Sequence, residues 1–246
     1  MRILAQGEQG IVVELGEAID PAVNARVHAL CRAISSRLGP EVLEVVPAYR
    51  SLLVIHDPLR VPRAGLVRRI ERLAAGVAGA PARGPRRVVR LPVCYGGDLG
   101  PDLADVARHA GLPPGEVIAL HAEPVYRVYM LGFTPGFPYL GGMSPRIACP
   151  RLPSPRTRIP PGSVAIGGAQ TGVYPVESPG GWRLVGRTPA RLFDPGSGTP
   201  FLLAAGDGLR FAPVSREAFD ALAAEVARGT WKPELEPGSP GPEAEP

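Results

Sequence analysis

Two short runs of strand-forming residues, Arg2–Ala5 and Ile11–Leu15, flank a turn at Gln6–Gly10. The pattern then lengthens. Val23, Val27, Leu30, Ile34 and Leu38 recur at helical spacing, Asp20 stands as N-cap with Pro21 at the first helical position, and Gly39-Pro40 ends the element. Val42–Val46 and Ser51–Ile55 predict strands around a Pro47–Arg50 turn. A second helix is predicted from about Pro62 to Gly76, with Leu66, Ile70, Leu73 and Val77 on one face. This ββαββα order predicts a small α+β domain over residues 1–80, ferredoxin-like, with its helices on one side of a sheet.

Gly79–Pro85 reads as a linker, and a second domain is expected over residues 86–230. Val89, Leu91 and Val93 alternate onto one face of a strand at Val88–Val93, and short helices follow at Pro101–Ala110 and Pro113–His121. From there the pattern predicts strands only: Val125–Met130, Ser163–Ile166, Gly172–Val176, Trp182–Val185, Ala190–Phe193, Pro200–Leu203 and Leu209–Ala212. Such short strands between Gly/Pro turns predict a closed or sandwiched β domain. A last helix is capped by Ser215 and is expected to bury Phe219, Leu222 and Val226. Residues 233–246, rich in Pro, Glu, Gly and Ser, are expected to form a mobile tail.

The segment Tyr126–Asp194 dominates the second domain. Its Gly and Pro content would melt a helix, yet Tyr126, Tyr129, Phe133, Phe137, Tyr139, Tyr174, Trp182 and Phe193 run through it. Linkers lack aromatics to bury, so fixed loops between strands are expected.

Composition narrows the chemistry. With 246 residues, 45% hydrophobic and 20% charged, the chain is that of an ordinary globular protein. Lys232 is its only lysine. That excludes a GxxxxGK[ST] phosphate loop, and it leaves a Ser-Ser-Lys amidase triad no lysine except one abutting the tail. Cys31, Cys94 and Cys149 form neither a disulfide framework nor a metal pair, consistent with a reducing cytoplasm. No run is long and apolar enough for a signal peptide or membrane helix. The net charge of +4 rises to +8 without the acidic tail, which suits anionic small molecules or an acidic partner. Only Arg83, Arg86, Arg87 and Arg90 cluster, and no nucleic-acid motif accompanies them.

Spacing alone yields no catalytic signature. His28 and His109 read as surface residues, His56 ends a strand, and His121 closes a helix just before the central segment. Their separation argues against a zinc site, and no metal is expected. His121 is open to two readings, a satisfied helix-end histidine or a site residue. Arg146, Arg151, Arg156, Arg158, Arg183 and Arg187 sit among rigid prolines and suit carboxylate or phosphate. The pairs Gly141-Gly142, Gly167-Gly168 and Gly180-Gly181 would admit close approach of a ligand or partner. Gln170, Thr171, Tyr174, Glu177 and Ser178 add hydrogen-bonding groups and one carboxylate. The same residues also fit a plain β domain with tight turns and solvated arginines. Tyr129, Phe133 and Trp182 are expected to be core or loop anchors.

Three motifs carry a resemblance. GFTPGFPYLGG (Gly132–Gly142), PRTRIPPGSVAIGGAQTGVYP (Pro155–Pro175) and ESPGGWRLVGRTP (Glu177–Pro189) closely resemble the bacterial family of 5-oxoprolinase B subunits, also called allophanate hydrolase subunit 1 and including the kinase inhibitor KipI. Weaker matches at Val45–Val54, Leu91–Leu103 and around His121 extend it to nearly the whole chain except the tail. The resemblance implies a cyclophilin-like β-barrel after the small α+β domain. It also implies two partners, the C and A subunits of 5-oxoprolinase. Together the three convert 5-oxoproline to glutamate at the expense of ATP, with Mg expected beside the nucleotide. Opening an unstrained lactam requires carbonyl activation, and a carboxylate or acyl-phosphate would call for arginine or backbone N–H groups. Matched positions of suitable chemistry nominate His121, Arg158, Gln170 and Glu177 for catalysis. They nominate Phe133, Gly136, Phe137, Tyr139, Arg156, Gly168, Thr171, Tyr174, Ser178, Gly180, Gly181 and Arg183 for substrate binding. The family name KipI implies a second reading, a binding module that inhibits a histidine kinase. No prolyl isomerase motif is present, so barrel similarity does not imply that activity.

Overall fold

The computed structural model describes residues 1–79 and 84–238. The chain divides into two compact units between Gly84 and Pro85. Most of the expected Gly79–Pro85 linker, and Arg83 of the basic cluster, lie outside the described residues.

The first unit contains β1 (Arg2–Gln6), β2 (Gly10–Glu14), α1 (Pro21–Leu38), β3 (Glu44–Pro47), β4 (Ser51–Ile55) and α2 (Arg63–Gly76). The Asp20 carboxylate accepts the Ala22 and Val23 N–H groups at 2.8 and 2.9 Å, so the predicted cap forms. The sheet runs β1-β2-β4-β3, antiparallel throughout. β2, α1 and β3 therefore make a split βαβ unit with β4 inserted, as in ferredoxin-like folds. The outer strand beside β2 comes from the N-terminus instead of the C-terminus. Ile11, Val13, Leu52 and Val54 face Val27, Leu30, Ile34, Leu66 and Ile70 from the helices to form one core.

The second unit contains β5 (Arg87–Tyr95), α3 (Leu103–Ala110), α4 (Pro114–Ala122), β6 (Tyr126–Leu131), β7 (Pro138–Gly141), β8 (Arg156–Ile159), β9 (Ser163–Gly167), β10 (Gln170–Val173), β11 (Ser178–Gly180), β12 (Arg183–Arg187), β13 (Gly208–Pro213), α5 (Arg216–Ala227) and β14 (Glu234–Pro237). Its main sheet runs β10-β9-β12-β5-β13-β6-β7, with β14 also on β5. β7 lies alongside β10, so the sheet nearly closes into a barrel, the cyclophilin-like architecture expected. Val89, Leu91, Val93, Tyr126, Val164, Ile166, Val185 and Phe211 fill its interior. β8 and β11 form a separate two-stranded ribbon.

Several expectations fail locally. Ala190–Phe193 and Pro200–Leu203 are not strands; a single bridge, Phe193 to Phe201, joins them. β7 and β11 were hidden by their Pro and Gly content, and β8 by the prolines that flank it, which lower strand propensity without preventing pairing. Helix α5 buries Phe219, but Leu222 and Val226 are only half-buried. The tail expected to be mobile begins as a strand: Glu234–Pro237 pairs with Arg87–Arg90. Residues 239–246 lie outside the described part.

Candidate functional site

The two faces of β9, β10 and β12 divide the central motifs. Val164, Ile166, Val173 and Val185 point into the barrel, whereas Ala165 and Leu184 point outward to join Phe137, Ile159, Tyr174 and Trp182 in a separate cluster bordered by Tyr139. The outward floor is made of small residues, and the rings lie on it. A Cβ added to Gly167 would stand 2.6 Å from the Trp182 ring, and one on Gly172 would stand 2.8 Å from Phe137. One on Gly180 would stand 2.4 Å from the Tyr174 hydroxyl. Gly167, Gly172 and Gly180 thus admit the protein's own aromatics; at Gly167 and Gly180 the sequence had suggested close approach of a ligand or partner. Gly168, at φ +64, is left to make the turn before β10.

The loop before β7 places Phe133 over this cluster. Phe133 is the one non-glycine residue at positive φ among the described residues, at +63°, and it is 60% exposed. Thr134 N–H donates to Gly132 O, Phe137 N–H donates to Thr134 O, and Gly136 turns at φ +81. The Phe133 ring stands edge-on to Phe137 at 5.5 Å and to Tyr174 at 6.5 Å. A bulky residue held left-handed, with its ring in solvent, is a strained arrangement typical of functional loops. Residue type alone made Phe133 a core or loop anchor, and the family resemblance nominated it for substrate binding; the loop is anchored by Phe137, and Phe133 is displayed. Arg151 lies over Trp182, 5.6 Å from the ring centroid. Tyr174 is 2% exposed, and burial pushes its hydroxyl pKa up, offset in part by Arg151.

The nominated arginines separate by environment. Arg158, on the β8–β11 ribbon bordering the cluster, makes a solvent-exposed bidentate pair with Glu177 at 2.8 and 3.1 Å. The hydrogen bond to Glu177 raises the Arg158 pKa, and that from Arg158 lowers the Glu177 pKa. Arg156 is bidentate to Asp102 at 2.8 and 2.9 Å, and Asp102 also accepts the Leu184 N–H at 2.7 Å. Asp102 is 5% exposed, so this pair clamps the ribbon to β12 and the start of α3. Arg183 bonds Asp105 and the carbonyl of Pro150. Ser178 is buried and donates to the Val176 carbonyl. Gln170 lies on the outward edge of β10, half-buried, and the Gly181 carbonyl accepts the Leu152 N–H.

His121 and Thr171 stand apart from this surface, inside the barrel and 1% exposed each. His121 Nδ1 lies 2.7 Å from the Tyr95 hydroxyl, its Nε2 lies 2.8 Å from Thr171 Oγ1, and its ring stacks on Phe211. Burial lowers the His121 pKa to about 3. Sequence reasoning missed Tyr95 and Asp102. Asp102 was absorbed into a predicted helix, and only its place just ahead of the first apolar residue of α3 hinted at a special role.

The first 203 residues match the family described as carboxyltransferase domain, subdomain C and D. The chain is 45% identical over 229 residues to the 5-oxoprolinase B subunit of Bacillus subtilis, covering 89% of this chain and 95% of that one. It is 42% identical to a solved protein named TTHA0988, with a TM-score of 0.73 over 84% of this chain and 40% of that one. The urea amidolyase of K. lactis shares the fold at 21% identity and a TM-score of 0.78, covering 95% of this chain and 16% of that one. The class is thus a carboxyltransferase-type domain that also occurs as one segment of longer chains. Within that class, this chain belongs to the family of 5-oxoprolinase B subunits.

Proposed function

We propose that this chain is the B subunit of an ATP-dependent 5-oxoprolinase, which opens 5-oxo-L-proline with water to L-glutamate, and that it shares its reaction site with the enzyme's C subunit. The observation carrying this reading is the 45% identity to a 5-oxoprolinase B subunit over nearly the full length of both chains. The geometry supports a shared site. The exposed groups Phe133, Arg151, Arg158 and Glu177 lie on or beside one aromatic face, while His121, Thr171, Arg156, Arg183 and Ser178 are engaged by their own chain. A guanidinium released from the Arg158–Glu177 pair suits a substrate carboxylate, and the exposed Phe133 ring excludes water once a second surface closes over it.

Arg156 and Arg183 are engaged by Asp102 and Asp105, and Lys232 is the only lysine. Among the described residues no three His, Cys, Asp or Glu side chains gather to hold a metal ion. In this reading ATP and its Mg are held in the assembled complex with the C and A subunits. Co-expression of this chain with the C subunit tests the assembly. A complex that survives size-exclusion chromatography is expected, and independent elution of the two chains contradicts a shared site.

A further inference from the structure

The long strand β5 has an unequal edge. Away from β13 it meets β12 only at Cys94 and Tyr95, so Arg87–Arg90 would lie open there. β14 fills that edge, with Glu234 opposite Arg90 and Pro237 opposite Arg87. This occupant fits poorly. Three of its four residues are exposed, Leu235 at 49%. The Glu234 carboxylate accepts from Arg90 Nη1 at 3.0 Å, but Glu236 sits 3.6 Å from both Arg90 Nε and Arg210 Nε. Both Nε–H groups are buried and make no hydrogen bond among the described residues. A cavity of about 260 Å³ remains beside the strap, lined by Val88, Val125, Arg127, Arg210 and Pro237 among others.

We infer that the Arg87–Arg90 edge, with Arg90 and Arg210 beside it, is a docking groove for an extended acidic segment of a partner protein, and that Glu234–Pro237 occupies it as a displaceable strap. Backbone and side chains each supply one part of the recognition. The β5 backbone pairs with any extended chain, as in β-strand addition. The two arginines select carboxylates, and their buried Nε–H groups reward a side chain that reaches closer than Glu236 does. The strap is held by a four-residue ladder and solvent-exposed ion pairs, each of which contributes little. The unfilled cavity gives an incoming side chain room that the strap leaves unused.

The test uses the full chain and a fluorescent peptide of sequence Pro-Glu-Leu-Glu-Pro-Gly, copied from residues 233–238. Glu234→Gln with Glu236→Gln weakens the strap from one exposed and one half-buried position. It is expected to raise peptide affinity about tenfold over the wild type, because the groove is then vacant for a larger fraction of the time. Adding Arg90→Glu and Arg210→Glu is expected to abolish binding, and hydrogen exchange should show β14 losing protection as peptide binds the wild type. Equal affinity in wild type and the Gln variant, or binding that survives the Arg→Glu changes, overturns the proposal. So does a concentration-dependent dimer of the Gln variant, which would make the occupant a second copy of this chain.

Discussion

His121 Nε2 meets Thr171 Oγ1 at 2.8 Å inside the barrel, and the direction of that bond is fixed by a third group. Thr171 gives its only hydroxyl proton to the Ala165 carbonyl at 3.0 Å, so its oxygen accepts from His121. The neutral ring then has a lone pair at Nδ1, which accepts the Tyr95 hydroxyl. Tyr95, His121, Thr171 and Ala165 form one directed chain in which every proton has a place. The tautomer follows from this network, and it makes His121 a strut between α4, β5 and β10.

That assignment sets a pH dependence. His121 has a folded pKa of about 3 against a usual 6.5, so below pH 6.5 the unfolded chain binds a proton that the folded chain refuses. Stability from this group is complete above pH 6.5 and falls as pH drops toward 3, by up to about 1.4 kcal/mol per unit. Urea unfolding between pH 7.5 and 4.5 should show a shallower decline in His121→Gln than in the wild type. Identical slopes would contradict the buried neutral ring.

Glycine substitutions separate packing from backbone freedom. Gly172→Ala forces a Cβ to within 2.8 Å of Phe137 and is expected to cost about 1–3 kcal/mol, read as a lower melting temperature. Gly115→Ala, inside α4 with open space around it, is expected to stabilise by about 0.4–1 kcal/mol. If Gly172→Ala is neutral, the outer face is not packed as described.

The two arginines of the β8 strand predict opposite phenotypes. Arg156→Ala leaves the Asp102 carboxylate buried without its partner, at a cost of about 3 kcal/mol. Arg158→Ala removes only an exposed pair, so its melting temperature should not change, while turnover of the assembled complex falls. A turnover loss in Arg158→Ala that tracks a stability loss would move Arg158 to a structural role. Gln170→Ala, at the half-buried edge of β10, is likewise expected to lower turnover without unfolding the chain.

Phe133 tests the exposed face. Phe133→Gly removes the left-handed strain and should raise the melting temperature of the isolated chain while weakening its assembly with the C subunit. Unchanged assembly would show that the ring is not part of the contact.

Much of the fold was legible in the sequence, because α1, α2 and the valine-rich strands carry unambiguous periodicities and α1 a clear cap. The strands that escaped, β7, β8 and β11, are Pro- or Gly-containing or flanked, and they hold their place through long-range pairing that no local window contains. The tail escaped for a different reason. Glu and Pro read as disorder, and only the open edge of β5 with the arginines of β5 and β13, far away in sequence, gives β14 a partner. At the candidate site, residue types pointed to the segment Tyr126–Asp194. They did not reveal that Asp102 claims Arg156, that Tyr95 and Thr171 claim His121, or that Gly167, Gly172 and Gly180 make room for Trp182, Phe137 and Tyr174.

The most direct measurement is ATP-dependent glutamate formation from 5-oxoproline by this chain with the C and A subunits, compared with each set lacking one member. Turnover is expected only from the complete set, and it should drop when Phe133→Ala replaces the wild-type chain. Equal turnover with this chain omitted, or no turnover from the complete set, would contradict its place as the B subunit of the enzyme.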